Sequence, residues 1–304
     1  MHPFSVFKLS SSIGSNVYFV NTSPPVIIDS GHPHFANETV FLMSSLLPLE
    51  KTAYILSTHS HPDHLGAASL FQNISKASHC IFHPSKNEKL TPLHKEQIRL
   101  NIEEPQYDRI LDDGEKIILD DDIIQVIHTP GHADDHCCFY FEKRRFLFTG
   151  DLLANNDTGF LNLNKPYKTA LQELMSSIAK CQKLTTHRVF SGHGEAYRTA
   201  PWDRQIRKLQ LLERNPQHII PHTLISPFLF FLWAKGDTTR DVCEKYILEH
   251  GYLFNDFLEN VTSDLLLKEF RKLVCMLELT GVISSNGSML CHHFTQDLHS
   301  MWFR

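Results

Sequence analysis

Four side chains able to bind a metal fall within six positions: His59, His61, Asp63 and His64, in the run Thr58-His59-Ser60-His61-Pro62-Asp63-His64. Imidazoles and carboxylates at this density point to metal coordination. The run follows Ala53-Tyr54-Ile55-Leu56, an apolar stretch that reads as a buried strand. Three later segments repeat the arrangement. His132 lies in His128-Thr129-Pro130-Gly131-His132, Asp151 in Phe148-Thr149-Gly150-Asp151, and His193 in Phe190-Ser191-Gly192-His193-Gly194. Each sits in a glycine-containing turn after an apolar strand, where backbone and side chain can approach a common point. Taken singly, any of these histidines reads as a hydrogen-bonded loop residue. Together, five histidines and two aspartates from four strand ends suffice for two metal ions.

The elements that must position them alternate between strand and helix. Phe4 to Leu9, Val17 to Asn21, Val26 to Asp29 and Ala53 to Ser57 read as strands. Phe35 to Leu47 and Leu65 to Gln72 read as helices. Cys80 to Phe82, Ile117 to Leu119, Ile123 to His128, Cys137 to Phe141, Phe146 to Thr149 and Arg188 to Ser191 are further strands. Lys165 to Cys181 is an amphipathic helix with Leu171, Leu174, Met175 and Ile178 on one face. Beyond Pro201 the pattern turns helical, so residues 1–200 read as a catalytic domain and 201–304 as a C-terminal one. The latter begins with a helix from Trp202 to Glu213. A second helix, capped by Asp237, ends near His250, and a third carries Asp264 in its first turn. Asn286-Gly287 then signals a hairpin. Helices followed by a hairpin suggest a winged-helix-like module.

At 304 residues, with 42% hydrophobic and 21% charged residues, the chain is an ordinary globular protein of one or two domains. Its net charge of −5 implies no long-range attraction to nucleic acid or acidic membrane. The N-terminus lacks a signal-peptide pattern, and the apolar stretch Ile219 to Ala234 is broken by prolines and too short to span a bilayer. Seven cysteines without a CxxC pair suggest reduced thiols and a cytoplasmic setting. Cys137 and Cys138 read as buried neutral thiols. His32 and His34 follow the Asp29 turn and read as surface loop residues, with a place near the site mouth as the alternative; Asp134 and Asp135 read as solvated charges, Asp120 to Asp122 as a turn, and His136 as a support beside the metals. No G-x-S-x-G, P-loop or G-x-G-x-x-G is present.

From residue 4 to 200 the sequence resembles the metallo-β-lactamase superfamily of metallohydrolases. The match rests on HxHxDH at residues 59–64, then the TPGH, TGD and SGHG segments in the family's order. The resemblance implies an αββα sandwich with a mostly helical, winged-helix-like C-terminal domain and two divalent ions at one sandwich edge. Zinc is the first choice of metal, iron or manganese the second. It implies one ion on His59, His61 and His132, another on Asp63, His64 and His193, and Asp151 between them. Asp29, in Ile27-Ile28-Asp29-Ser30-Gly31, is expected to order the ligands from behind. A water activated between two ions would attack the substrate, with Asp63 orienting it or relaying its proton.

The stretch from His128 to Leu152 looks most like hydroxyacylglutathione hydrolases (glyoxalase II), which favours a thioester or other small acyl ester. Downstream the chain departs from them, with Leu152-Leu153-Ala154-Asn155-Asn156 in place of their Gly-Cys-Gly-Arg segment. The Ser-Gly-His-Gly-Glu form and the helical tail resemble lactamase-β-like proteins, some of which are endoribonucleases. The tail's 11 Lys and Arg against 12 Asp and Glu argue for a small-molecule substrate over nucleic acid. Arg204, Arg207 and Lys208 read as a solvated helix face. The tail is expected to shape the substrate pocket or mediate a homodimer. A di-iron redox enzyme and a regulatory protein on the same fold are the alternatives from other classes.

Overall fold

The computed structural model describes residues 6–10, 15–82, 105–154, 157–254, 257–258 and 261–293. The first five residues of the chain, where a strand is expected to begin, lie outside them. Strands β1 (Val6–Ser10), β2 (Asn16–Val20), β3 (Val26–Ile28), β4 (Tyr54–Ser57), β5 (Ser78–Phe82) and β6 (Arg109–Leu111) form one sheet in that order. Its first three strands pair antiparallel, and β3 to β6 run parallel. A second sheet has the order β11-β10-β9-β8-β7, with β7 (Lys116–Ile118), β8 (Ile123–His128), β9 (Cys137–Phe141), β10 (Phe146–Phe148) and β11 (Arg188–Phe190). There β7, β8, β9 and β10 alternate in direction and β11 runs parallel to β10. Strands β8, β10 and β11 therefore point the same way.

Burial explains the layers. Tyr18, Val20, Val26, Ile28 and Leu56 of the first sheet pack against Val126, Phe139, Phe141, Phe148 and Phe190 of the second. The alternate residues Val17, Phe19, Ile27 and Ile55 face outward, onto Val40 and Met43 of helix Ala36–Leu46 and Phe71 of helix Ala68–Ser75. This is the period-two alternation of strands covered on both faces. The second sheet's outer face, with Cys138, Leu147 and Val189, is covered by Leu171, Leu174 and Ile178 of helix Tyr167–Gln182. The arrangement is αββα, as expected.

The chain continues through helices Trp202–Arg214, Ile219–Lys235, Arg240–Glu249 and Ser263–Leu279, with strand β12 (Thr238–Thr239) and hairpin β13 (Ile283–Asn286) and β14 (Met289–His292). These three strands form a small sheet in the order β12-β14-β13. The helix expected from Asp237 is instead capped by the Thr239 side chain, which accepts from the Val242 amide, because Thr239 already occupies the extended conformation a cap requires. The core does not break at residue 200. Trp202, Leu209 and Leu212 join the cluster beneath Tyr167–Gln182, which continues into Phe228, Phe270 and Leu273. Among the described residues, no helix is long and apolar enough to cross a membrane.

Asp120 to Asp122 form the turn expected between β7 and β8, whereas Asp135, expected as a solvated charge, departs from expectation. Asp122 is buried within its turn, where it accepts from the Lys143 amide and pairs with Arg144. Asp135 is also buried, and burial pushes its carboxyl up to about 6.

His79 carries a testable stability effect. It is fully buried on β5, with Nε2 2.8 Å from the Ser57 hydroxyl, and burial pushes its imidazole down to about 4 from an ordinary 6.5. Between those two values the unfolded chain binds a proton that the native chain does not. This contribution is neutral above pH 6.5 and becomes destabilising as pH falls towards 4, reaching about 3 kcal/mol. In urea unfolding with chelator present, His79→Gln should lose less stability from pH 7 to 4 than wild type. Identical pH slopes would refute the assignment.

Candidate metal centre

Parallel strand direction brings the sequence-predicted residues to one edge of the sandwich. Asp29 follows β3 and His59 follows β4. His61 caps the short helical turn Pro62–Leu65, which carries Asp63 and His64. His132 follows β8, Asp151 lies in the turn Gly150–Leu152 after β10, and His193 follows β11. Backbone bonds tie the edges together, from the Cys137 amide to the Thr58 carbonyl (2.8 Å) and from the Asn16 amide to the Gly192 carbonyl (2.7 Å).

The seven residues converge as two halves. In the first, His59 Nε2 lies 3.0 Å from His61 Nδ1, and His132 Nε2 lies 3.2 Å from His59 Nε2 and 2.9 Å from His61 Nδ1. In the second, Asp63, His64 and His193 present ligand atoms within 4.8 Å of one another. Asp63 Oδ2 lies 3.3 Å from His193 Nε2 and 3.6 Å from His64 Nε2. Asp151 joins the halves. Its Oδ1 is 3.4 Å from His64 Nε2 and 3.3 Å from His193 Nε2, and its Oδ2 is 3.5 Å from His132 Nε2.

Neighbouring acceptors fix which ring nitrogens point inward. The Phe160 carbonyl, 2.7 Å from His132 Nδ1, can only accept, so Nδ1 carries the proton and Nε2 the lone pair. The Thr58 hydroxyl donates to Asp29 and accepts from His59 Nδ1 at 3.0 Å, which again leaves the Nε2 lone pair inward. Two lone pairs thus face each other at 3.2 Å, an arrangement that repels unless a cation lies between them. The spacing fits: nitrogens at about 2.0–2.1 Å from a tetrahedral zinc stand about 3.3 Å apart. In the second half, carboxylate–imidazole distances of 3.3–3.6 Å exceed the ~2.7–2.9 Å of a charge-assisted hydrogen bond. These groups are spaced as donors around a shared centre.

The electrostatics agree. Burial lowers His59 and His132, which favours the neutral imidazole at both. In the second half burial alone would also favour neutral rings, but carboxylates override it. Asp29, Asp63 and Asp151 hold His64 well above its usual range, and Asp151 and Asp63 push His193 up to about 10. The two imidazoles in turn overcome the burial of Asp63 and Asp151 and hold both carboxyls below the usual range. The site calls for positive charge where the donors meet, and divalent cations would supply it. The residues present therefore fit divalent cations.

Asp29 stands where expected, behind His64, with Oδ2 2.8 Å from Nδ1, and it also accepts from the Thr58 amide at 2.8 Å. This carboxylate–histidine pairing fixes a ring and its tautomer. His136 is buried with Nδ1 2.8 Å from the Thr129 hydroxyl and its ring centroid 5.2 Å from that of His59, so it packs beside that residue. Burial, then the neighbouring His132, push His136 down to about 3. His32 is not a surface residue. It is 5% exposed, its Nδ1 accepts from the His34 amide, and it lies within electrostatic reach of Asp63 and His193. No periodicity marks a single loop histidine, so sequence reading favoured the surface over the alternative near the site mouth. It missed Phe160, whose contribution is a backbone carbonyl and leaves no side-chain signature.

The metallo-beta-lactamase superfamily model matches residues 13–193. The chain belongs to that superfamily. The matched stretch ends on His193, the last of the seven converging residues. Among curated relatives, the Beta-lactamase-like protein 2 homolog of Caenorhabditis elegans is 29% identical over 185 residues, covering 60% of this chain and 56% of that protein. An atrochrysone carboxyl ACP thioesterase of Aspergillus fumigatus is 26% identical over 208 residues, covering 66% of this chain and 42% of that protein. The chain spans about half the length of the curated relatives it matches. Among solved structures, a metallo-beta-lactamase family protein from Thermus thermophilus superposes with a TM-score of 0.57 at 19% identity, covering 95% of this chain and 99% of that one. The shared fold of this superfamily member therefore includes its helical C-terminal part. BLEG-1, a B3 metallo-beta-lactamase, gives a TM-score of 0.50 at 23% identity over 65% of this chain.

Proposed function

We propose that this chain is a metal-dependent hydrolase that uses two divalent ions to cleave an acyl thioester. The single observation that carries the two-ion reading is the Asp151 carboxylate, with one oxygen towards His132 and the other towards His64 and His193. One ion would rest on His59, His61 and His132, the other on Asp63, His64 and His193, and Asp151 would serve both. Imidazole and carboxylate donors suit zinc first, then iron or manganese. Bound there, such ions would lower the pKa of water to near neutrality and polarise the substrate carbonyl.

The remaining work falls to the chain itself. Asp29, the Thr58 hydroxyl and the Phe160 carbonyl hold three imidazoles in register, so no reorganisation is needed during reaction. Asp63, with a side chain 25% exposed against 10% for Asp151, faces outward more and is placed to take the proton of the attacking water. As the water oxygen bonds to the acyl carbon, the carbon–sulfur bond breaks and the sulfur leaves as thiolate.

The thioester assignment is supported by the thioesterases among the relatives and by the charge of the tail. Lys208 is committed to Asp157, which leaves Arg204 and Arg207 as the exposed cations of that helix face and reduces the candidate phosphate-binding stripe. The C-terminal helices, short strand and hairpin read as a winged-helix-like module that shapes the substrate site.

The test is a substrate panel on zinc-reconstituted protein: S-lactoylglutathione, acyl-CoA, a lactone, bis-p-nitrophenyl phosphate and single-stranded RNA. The expected result is fastest turnover of a thioester, lost on chelation and restored by metal. Faster cleavage of the phosphodiester or the RNA would replace the thioester reading.

A further inference from the structure

The segment after Asp151 backs three of the converging residues at once. The Gly159 amide donates to the Asp151 carbonyl at 2.8 Å. The Phe160 carbonyl accepts from His132 Nδ1 at 2.7 Å. Ala154 bridges to His193 in the parallel sense. The approach is close enough that a Cβ on Gly159 would stand 2.5 Å from the Asp151 carbonyl and 2.9 Å from His132 Nδ1. A displacement of this segment would therefore move His132, Asp151 and His193 together.

What anchors Asp157 lies outside the stretch matched by the superfamily model. Ala154 and Asp157 exchange both backbone hydrogen bonds at 2.8 Å, so their positions are linked. The Asp157 carboxylate receives Lys208 Nζ on both oxygens, at 2.6 and 2.5 Å, with both side chains partly exposed. Lys208 belongs to helix Trp202–Arg214. That helix is itself fixed by the burial of Trp202, Leu209 and Leu212 and by a hydrogen bond from Gln182 to Asp203 (2.8 Å). The path runs from a rigid helix through one ion pair to the backing of the metal centre.

We propose that Lys208 is a positioning residue through which the C-terminal segment sets the geometry of the metal centre, acting on Asp157, on its backbone partner Ala154 and on the backbone from Asp157 to Phe160. This rests on the reading of His132, Asp151 and His193 as ligands. Groups that orient ligands from behind typically govern affinity by about 10–100-fold. A partly exposed ion pair contributes little to global stability. The two roles therefore separate experimentally.

The experiment is cobalt(II) titration of the full chain, followed by visible absorption and chelator competition, with thermal midpoints alongside. Wild type should bind two cobalt ions. Lys208→Met and Asp157→Asn should each weaken cobalt about tenfold or more and alter the absorption envelope while the thermal midpoint of the metal-free protein stays put. Lys208→Arg should retain most of the affinity, and the exchange of Lys208→Asp with Asp157→Lys should recover part of it. Arg204→Met, on the same helix but exposed, should behave as wild type. Wild-type cobalt binding with both single variants unchanged overturns the proposal alone. A wild type that binds no cobalt overturns the ligand reading, and the proposal with it.

Discussion

Asp151→Asn is expected to strip both ions and reduce kcat/KM for the preferred thioester by about 1,000-fold or more. The carboxylate is the one group that addresses both halves, with Oδ1 near His64 and His193 and Oδ2 near His132. An amide is nearly the same size but has one acceptor instead of two. Whichever way it turns, its NH2 points hydrogens into one half of the site. It also removes a negative charge that helps the carboxylates outweigh burial at His64 and His193. Outer groups alone are worth about 10–100-fold in affinity, and losing one preorganised electrostatic partner costs about 100–1,000-fold in rate, so a residue serving both ions should exceed either. Elemental analysis after dialysis and steady-state kinetics check this. Full metal content with unimpaired turnover would show that Asp151 does not join two ions.

Gly192→Ala should have a comparable effect without removing any donor. A Cβ at Gly192 would stand 2.2 Å from Asp151 Oδ1 and 2.7 Å from the Gly150 carbonyl carbon. No real contact is that short, so either the carboxylate or two turns of backbone must move. Gly192 does not occupy the left-handed region, so alanine suffers no conformational penalty of its own. The cost is steric and falls on the metal centre. Metal affinity should drop at least as far as in a typical outer-group variant, about 100-fold, with turnover falling in step. Overpacking of this kind costs about 1–3 kcal/mol of stability, so the variant should still fold. Isothermal titration with zinc and a urea melt of the metal-free protein separate the two effects. Unchanged zinc affinity would mean that Asp151 tolerates displacement and is not held in a fixed pose.

The converging set of seven residues was legible in the sequence because of how it is built. Each of its segments is a short apolar strand ended by glycine or a histidine–aspartate run, and strand ends that run parallel arrive at a common edge. The four layers followed from the family resemblance and not from the pattern itself: Tyr18 and Phe19, or Ile27 and Ile28, are adjacent apolar residues, and only the folded chain shows that they enter different clusters. Properties set by backbone contacts were not legible. His32 is buried because its loop presses on Gly66, where a Cβ would meet the Pro33 nitrogen at 2.2 Å. Asp135 read as a solvated charge, yet it is 1% exposed, and burial pushes its carboxyl up to about 6. Lys208 read as part of a solvated face, and only the folded chain shows that it meets Asp157 across 51 residues.

The apolar cluster that runs from the second sheet into the tail bears on how such a protein can change over time. Trp202, Leu209 and Leu212 share one interior with Leu171, Leu174 and Ile178. The tail is therefore not a cassette that recombination can exchange at residue 200. A graft that altered specificity would need to bring a matching apolar stripe and a cation opposite Asp157. Divergence of substrate range in this lineage would then proceed by drift within the tail rather than by its replacement.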